Sequence, residues 1–502
     1  MDAFGESIWR TVKVRARACL SLFRKYSIPH ITWAQVPGRL AGVCLLLILS
    51  WGITAGKALA HASEGGFVLL LPTDVYIGAG AASVALTVVL LTLLPKQTTD
   101  RLFTPLALWR VGRGIGLHHV TSCLAALLLA FLVWRGFAGP RDPLSNPMPL
   151  FVWTVWWVGM VSLQGLIGNH WRWTNPWTGP GALLSRLTGM RAPLRYPRHL
   201  GYWPGIVIFL CFAGFLLADP APADPARLAA FAGLYWYLAL TGLVLFGPAW
   251  LVRAEALTVL MRAYARMGIV GRAKGRRALG LPGWQVLARP VPQLGLAVFI
   301  LILLGTGSFD GLNETFWWLG VLGLNPLEFP GRSGIIFQTL AGLLITNAAL
   351  IAAFTLCLWL GERIAGNTRP LREAFCLFAP SILPIALGYH IAHYLTAMMV
   401  DGQYLAKVLN DPMGTGADLL GLGDFYVTTG FFNTAATVKA IWLSQAGAVV
   451  IGHVIAILLA HSLALRGGQS TRRAVLGQAP LAMFMVAYTI FGLWLLASPR
   501  GL

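Results

Sequence analysis

Long apolar blocks separated by short basic or acidic stretches run through nearly the whole chain. Neither the alternation of a half-buried strand nor the stripe of a soluble amphipathic helix dominates. Blocks of about 20 residues match the length a helix needs to cross a hydrocarbon core. Spans are expected over residues 40–60, 67–95, 117–136, 149–168, 201–218, 228–251, 291–307, 333–361, 375–400, 439–465 and 476–497. The predicted fold class is therefore all-α, a polytopic transmembrane helix bundle of about eleven segments, or about ten if the first is a cleaved signal.

The polar gaps give this pattern a direction. Arg10, Lys13, Arg15, Arg17, Arg24, Lys25 and Arg39 precede the first block, and every later basic gap falls on the same side when the spans are counted. The positive-inside rule then predicts a multi-pass membrane protein with its N-terminus in and its C-terminus out. Residues 1–60 form a basic leader plus either a signal peptide or a first transmembrane helix, because Lys57-Ala58-Leu59-Ala60 resembles a small-residue cleavage site. Residues 61–502 are expected to be a single transmembrane helical domain, with a basic cytoplasmic loop at 252–290 and an outer loop at 401–438.

Composition agrees and removes other classes. The chain is 57% hydrophobic and 11% charged, which excludes a soluble globular domain. A net charge of +20 would suit nucleic acid, but the cations sit in short gaps between spans, so membrane lipid is the expected partner and nucleic acid is not. Six cysteines are scattered without CxxC spacing, and no redox role follows.

Three gaps carry further expectations. Leu257, Leu260, Met261 and Tyr264 share one face of an amphipathic helix, which predicts docking on the lipid interface. Ser308 to Glu314 reads as an acidic outer turn. The apolar stretch after it is broken by Asn325-Pro326 and Pro330, which suggests a re-entrant or interfacial loop rather than a span.

Chemistry concentrates in LPIALGYHIAHYLTAMMV (383–400), which places His390 and His393 inside an apolar helix. Residues three apart lie about 60° apart and about 4.5 Å along the axis, so both imidazoles can face one partner. Ionisable groups within a membrane face the bundle interior or a wet cavity. Helix direction and rise bring His453 to a matching height, with Asn347, Gln338 and Gln445 as supporting neighbours of a bound cofactor, and Asp310 as the carboxylate at the mouth. Histidines 390, 393 and 453 together would suit a divalent transition metal (zinc, iron or copper), whose bound water is a nucleophile. Without metal, a histidine can act as general base. A bis-histidine haem is disfavoured, because the spacing supplies at most one layer of ligands.

At these residues the chain resembles a family of bacterial polytopic membrane proteins known as fenitrothion hydrolases, which act on organophosphates. The likeness rests on HASEGGFVLLLP (61–72), WLVRAEALTVLMRAYAR (250–266), SFDGLNETFW (308–317), PIALGYHIAHYL (384–395), GHVIAILLAHSLAL (452–465) and YTIFGLWLL (488–496), and spans nearly the whole chain after the leader. The resemblance implies a hydrolase of hydrophobic, phosphotriester-like aryl esters in the bacterial cytoplasmic (inner) membrane. The roles of the histidines come from the residues alone. The same intramembrane cluster would equally serve a transporter or channel for a metal ion or small solute. A third reading is an accessory protein whose polar residues hold helices together, with a second membrane subunit as partner.

Overall fold

The computed structural model describes residues 71–92, 98, 101–110, 116–189, 191–328, 331–367, 369–423, 425–466 and 471–499. The leader and the first expected span at 40–60 lie outside the described residues.

Helices form where the apolar blocks were expected. In chain order they are α1 (Thr73–Leu91), α2 (Leu117–Ala138), α3 (Pro147–Leu166), α4 (Trp203–Ala218), α5 (Pro225–Phe246), α6 (Ala256–Tyr264), α7 (Leu294–Leu312), α8 (Ile336–Ile364), α9 (Leu383–Asn410), α10 (Ala435–Arg466) and α11 (Thr471–Ala497). Among the described residues nine helices are long and apolar enough to span a membrane. α4, at 16 residues, is shorter. At 1.5 Å per residue it covers about 24 Å of a core about 30 Å thick. The fold is thus a multi-span helical bundle, without the specific count of eleven.

α9 is the most buried span and α1 among the least. α9 packs along α10, α10 on α11, α11 on α8 and α1, and α7 on α8 and α9. The α9/α10 crossing is close because both helices carry glycine there. A Cβ at Gly388 would meet the Ala448 carbonyl oxygen at 2.5 Å, and one at Gly452 would meet that of Pro384 at 2.6 Å. Such small residues let helices approach where apolar burial gives no drive to associate. Exposed Leu86, Leu127, Phe337 and Ile345 form part of the apolar outer surface, as expected of side chains that face lipid.

Three loop expectations are corrected. The basic loop at 252–290 is no lipid-docking segment. Leu260, Met261 and Tyr264 of α6 are buried in the core, with Leu257 packed against it, so the apolar face of this helix meets protein. The rest of the loop forms a hairpin of β2 (Val270–Ala273) and β3 (Arg276–Leu279), and β3 pairs antiparallel with β1 (Leu106–Arg110). A small three-stranded sheet therefore joins the otherwise helical fold and draws two basic gaps together. The acidic stretch after residue 307 is mostly helix, because α7 continues through Asp310 to Leu312, and the turn is confined to Asn313 and Glu314. The outer loop begins at 411 rather than 401, since α9 runs on to Asn410, just before Asp411-Pro412. Proline disfavours helical backbone in the residue before it, so the helix stops there and not at the first polar residue.

Among the described residues the broken apolar stretch holds a short helix, Phe316–Val321, capped by the Thr315 hydroxyl, which accepts from the Trp318 amide at 3.2 Å, and a single 3-10 turn, Pro326–Glu328. It is no span, as the interrupting prolines indicated.

Candidate functional site

Two helices, α3 and α7, and the loop helix α6 meet at α9. The centre of α3 is π-helical over Leu150–Met160, and such wide turns collect at functional sites. The Trp157 carbonyl of this segment accepts a hydrogen bond from His390 Nε2 at 3.0 Å. A ring nitrogen facing a carbonyl must carry the proton, so in neutral His390 the lone pair is on Nδ1. The Trp157 ring lies edge-on to the imidazole, 5.3 Å between centroids.

One turn along α9, His393 Nε2 stands 3.2 Å from Asp310 Oδ2. The Tyr394 hydroxyl donates to the same oxygen. Asp310 reaches them because α7 is still helical at that point, and both partners of the His393–Asp310 pair are largely shielded, with side chains 8% and 16% exposed. Tyr389 stacks on His393 at 5.7 Å between centroids. Its hydroxyl fits only because residue 311 has no side chain: a Cβ there would lie 1.8 Å from Tyr389 Oη.

α6 closes the site from the loop side. Glu255 caps it, its carboxylate accepting the amides of Leu257 at 2.9 Å and Thr258 at 2.7 Å and the Tyr235 hydroxyl at 2.5 Å. Burial pushes the Glu255 carboxyl above its ordinary range, while its hydrogen bonds to Thr258, Tyr235 and the helix amides pull it back. Gln164 Nε2 on α3 donates to the Met261 carbonyl at 2.8 Å, and Trp171 Nε1 to Thr258 Oγ1 at 3.0 Å. So anchored, α6 sets Tyr264 beside His390, 6.4 Å between ring centroids.

These groups enclose a cavity of about 30 Å³, lined by Asp310, His390, His393, Tyr394, Tyr264 and Thr306 among others, with Leu303, Leu304 and Phe209 on its apolar wall. Space of that size holds one or two waters. The sequence did not single out Trp157, Tyr264 or Thr306. A main-chain acceptor leaves no trace in sequence, and Tyr264 had been assigned to the lipid face.

The other expected site residues lie elsewhere. His453 is buried and donates through Nδ1 to the Val449 carbonyl at 2.9 Å in its own helix, while its Nε2 has no hydrogen-bond partner. Its ring is 6.5 Å from that of Tyr488, and it does not line the cavity. Asn347 stands behind the wall, donating to Thr306 Oγ1 at 3.3 Å and the Leu343 carbonyl at 2.8 Å. Gln445 donates to the Ala392 carbonyl at 2.8 Å and ties α10 to the histidine turn. Gln338 is exposed on the bundle surface, because axial height says nothing about which face a residue occupies.

Histidines 390, 393 and 453 are therefore not gathered on one point. Among the described residues no three or more of His, Cys, Asp and Glu are grouped to hold a metal ion. His390 Nε2 is committed to a carbonyl and His393 Nε2 to Asp310. What remains together is a carboxylate, two imidazoles and three phenols around a water-sized space inside a membrane bundle. That set can take up, hold and pass a proton, or receive a small cation through oxygen and nitrogen donors.

No protein-family model, curated protein or solved structure matches the chain.

Proposed function

We propose that the protein is a membrane transporter of a small cation, with the proton as the smallest cargo, working through Asp310 and His393 with His390 beside them. The observation that carries this reading is the His393–Asp310 pair at 3.2 Å, set in a cavity of about 30 Å³ within the bundle. An ionisable pair is costly in this setting and marks ion pathways and proton relays. A drug-sized ligand needs a pocket of roughly 300 Å³ or more. The site in this state accepts an ion or water and not a whole ester. Asp310 is the acceptor of the relay, with His393 and Tyr394 as its exchange partners. His390, held by Trp157, presents the second nitrogen lone pair.

A second reading, the ester hydrolase implied by the fenitrothion hydrolase resemblance, is favoured by one feature of the same site. A carboxylate-oriented imidazole beside a phenol donor is the arrangement of a general base acting on water. It requires the bundle to open toward lipid for a hydrophobic phosphotriester to reach the cavity.

Sealed proteoliposomes decide between them. Under an imposed pH gradient, the wild type should dissipate the gradient or accumulate a cation, and Asp310→Asn and His393→Gln should each lower that flux at least tenfold while the protein still inserts. Release of phenol from an aryl phosphotriester by the wild type, lost in the same variants and without flux, would move the assignment to the hydrolase.

A further inference from the structure

The loop that delivers α6 to the site holds a second polar cavity, of about 20 Å³ and lined by Arg262, Arg266, Arg289 and Tyr202. Three guanidiniums face one space. The four ion pairs among the described residues involve none of them. Arg266 is largely buried, and its Nη1 has no hydrogen-bond partner. Arg289 finds only a neutral acceptor, Gln285 Oε1 at 3.2 Å. Burial first, and the neighbouring charges of Arg289 and Arg262 after it, together lower the Arg266 guanidinium to about 10, with Tyr202 opposing them. Burial and Arg262 likewise lower Arg289. Two shielded cations pressed together with no carboxylate are strongly unfavourable by themselves, and folded proteins keep such groups where a counter-charge joins them.

From this cavity we infer an anion site whose ligand is a phosphate group, of a lipid headgroup or of free phosphate. Guanidinium forks match paired phosphate oxygens, and three of them balance a phosphomonoester dianion better than a single-point ion such as chloride. The buried space takes an oxygen-sized part of the ligand between Arg266 and Arg289. Arg262, exposed at the rim, completes the contact.

The surroundings suit a headgroup. Tyr202 also lines a neighbouring cavity of about 850 Å³ that carries Arg198, Arg369, Arg372 and Arg466 beside apolar Trp203 and Leu463. One carboxylate, Glu373, also lines this space, so it is basic on balance, and with its apolar wall next to a small cationic socket it fits a phosphate with an acyl tail entering from the membrane.

The test uses the full chain in phosphatidylcholine nanodiscs and reads the thermal unfolding midpoint. The probes are inorganic phosphate at fixed ionic strength and, separately, nanodiscs containing phosphatidic acid. The wild type should be stabilised by several degrees by one or both, and chloride at equal ionic strength should give no such shift. Response to phosphate alone identifies the free ion, and response only to phosphatidic acid identifies the headgroup. Arg266→Gln and Arg289→Gln should abolish the shift. If either fails to fold, the rim variant Arg262→Gln, whose exposed side chain leaves the fold intact, should still raise the concentration needed for half the shift about tenfold. Equal responses to phosphate and chloride, no response to either phosphate probe, or an unchanged response in Arg262→Gln would each overturn the assignment.

Discussion

The side-chain amide of Gln445 on α10 donates to the main-chain carbonyl of Ala392 on α9 at 2.8 Å, in the turn between His390 and His393. The bond ties the two most closely packed spans at the level of the site, though Gln445 does not line the cavity. Gln445 is thus a strut and not a ligand.

A strut and a ligand fail differently. Gln445→Leu should lower stability by about 1 kcal/mol, the scale of an interhelical hydrogen bond in a membrane protein, and leave cation flux within about twofold of wild type. Thermal unfolding in detergent and flux in vesicles measure the two effects. Unchanged stability with a tenfold loss of flux would place Gln445 in the site itself.

The spans were legible in the sequence because a membrane reads only length and apolarity, and both are local. What could not be read was azimuth. Helix rise set Gln338, Asn347 and Gln445 at plausible heights, but packing sends Gln338 to the surface, Asn347 behind Thr306 and Gln445 onto a carbonyl. The apolar face of α6 looks the same whether lipid or protein covers it, so Tyr264 was assigned to the wrong solvent. Asp310 and Gly311 are residue types that favour turns, yet α7 runs through them, since Gly311 is needed for clearance against Tyr389 rather than for a turn. The pairing of Asp310 with the histidine turn survives that correction, by a contact within the bundle instead of at its mouth.

Glu255 gives a pH dependence whose sign is fixed by burial. Its folded-state carboxyl is raised, so the folded chain holds this proton more tightly than the unfolded chain does. The stabilisation from that proton is fully present below the unfolded value, about 4.3, and is lost as pH rises through the higher folded value. Glu255→Gln should flatten this part of the stability profile. It should also keep most of the α6 cap, whereas Glu255→Ala should cost about 2 kcal/mol through the lost cap and unpaired amides. Denaturation midpoints of the three proteins between pH 4 and 8 provide the check, and parallel profiles for wild type and Glu255→Gln would remove Glu255 as the source.

The two ends of the bundle should report opposite sides of the membrane. α10 has 32 residues, about 48 Å at the helical rise, more than the hydrocarbon core. Its last residue, Arg466, donates to the Leu287 carbonyl in the loop that carries the basic hairpin, so Arg276 belongs to that end. Asp411 lies in the loop that precedes the first turn of α10, at the other. The positive-inside rule predicts that the hairpin end faces the cytoplasm. Reporter fusions at Arg276 and Asp411 should give cytoplasmic and external signals respectively, and the same signal at both would refute the arrangement.

The tightest constraint on the site is the gap between Gly311 and Tyr389. A Cβ at residue 311 would lie 1.8 Å from Tyr389 Oη and 3.1 Å from Cζ, closer than any relaxation of the hydroxyl alone can relieve. The tyrosine ring must move, and it stacks on His393 at 5.7 Å, with His393 in turn on Asp310. Gly311→Ala should therefore cost about 1–3 kcal/mol, the usual penalty for overpacking, and lower flux by displacing the imidazole. Tyr389→Phe in that background deletes the clashing oxygen and keeps the ring. If steric displacement is the cause, the double variant should recover at least half of the lost stability and most of the flux, and a plain loss of helix flexibility would show no such recovery. The two single variants and the double, compared by unfolding midpoint and vesicle flux, form a closed cycle. A coupling energy below about 0.5 kcal/mol would mean that residue 311 and Tyr389 act independently.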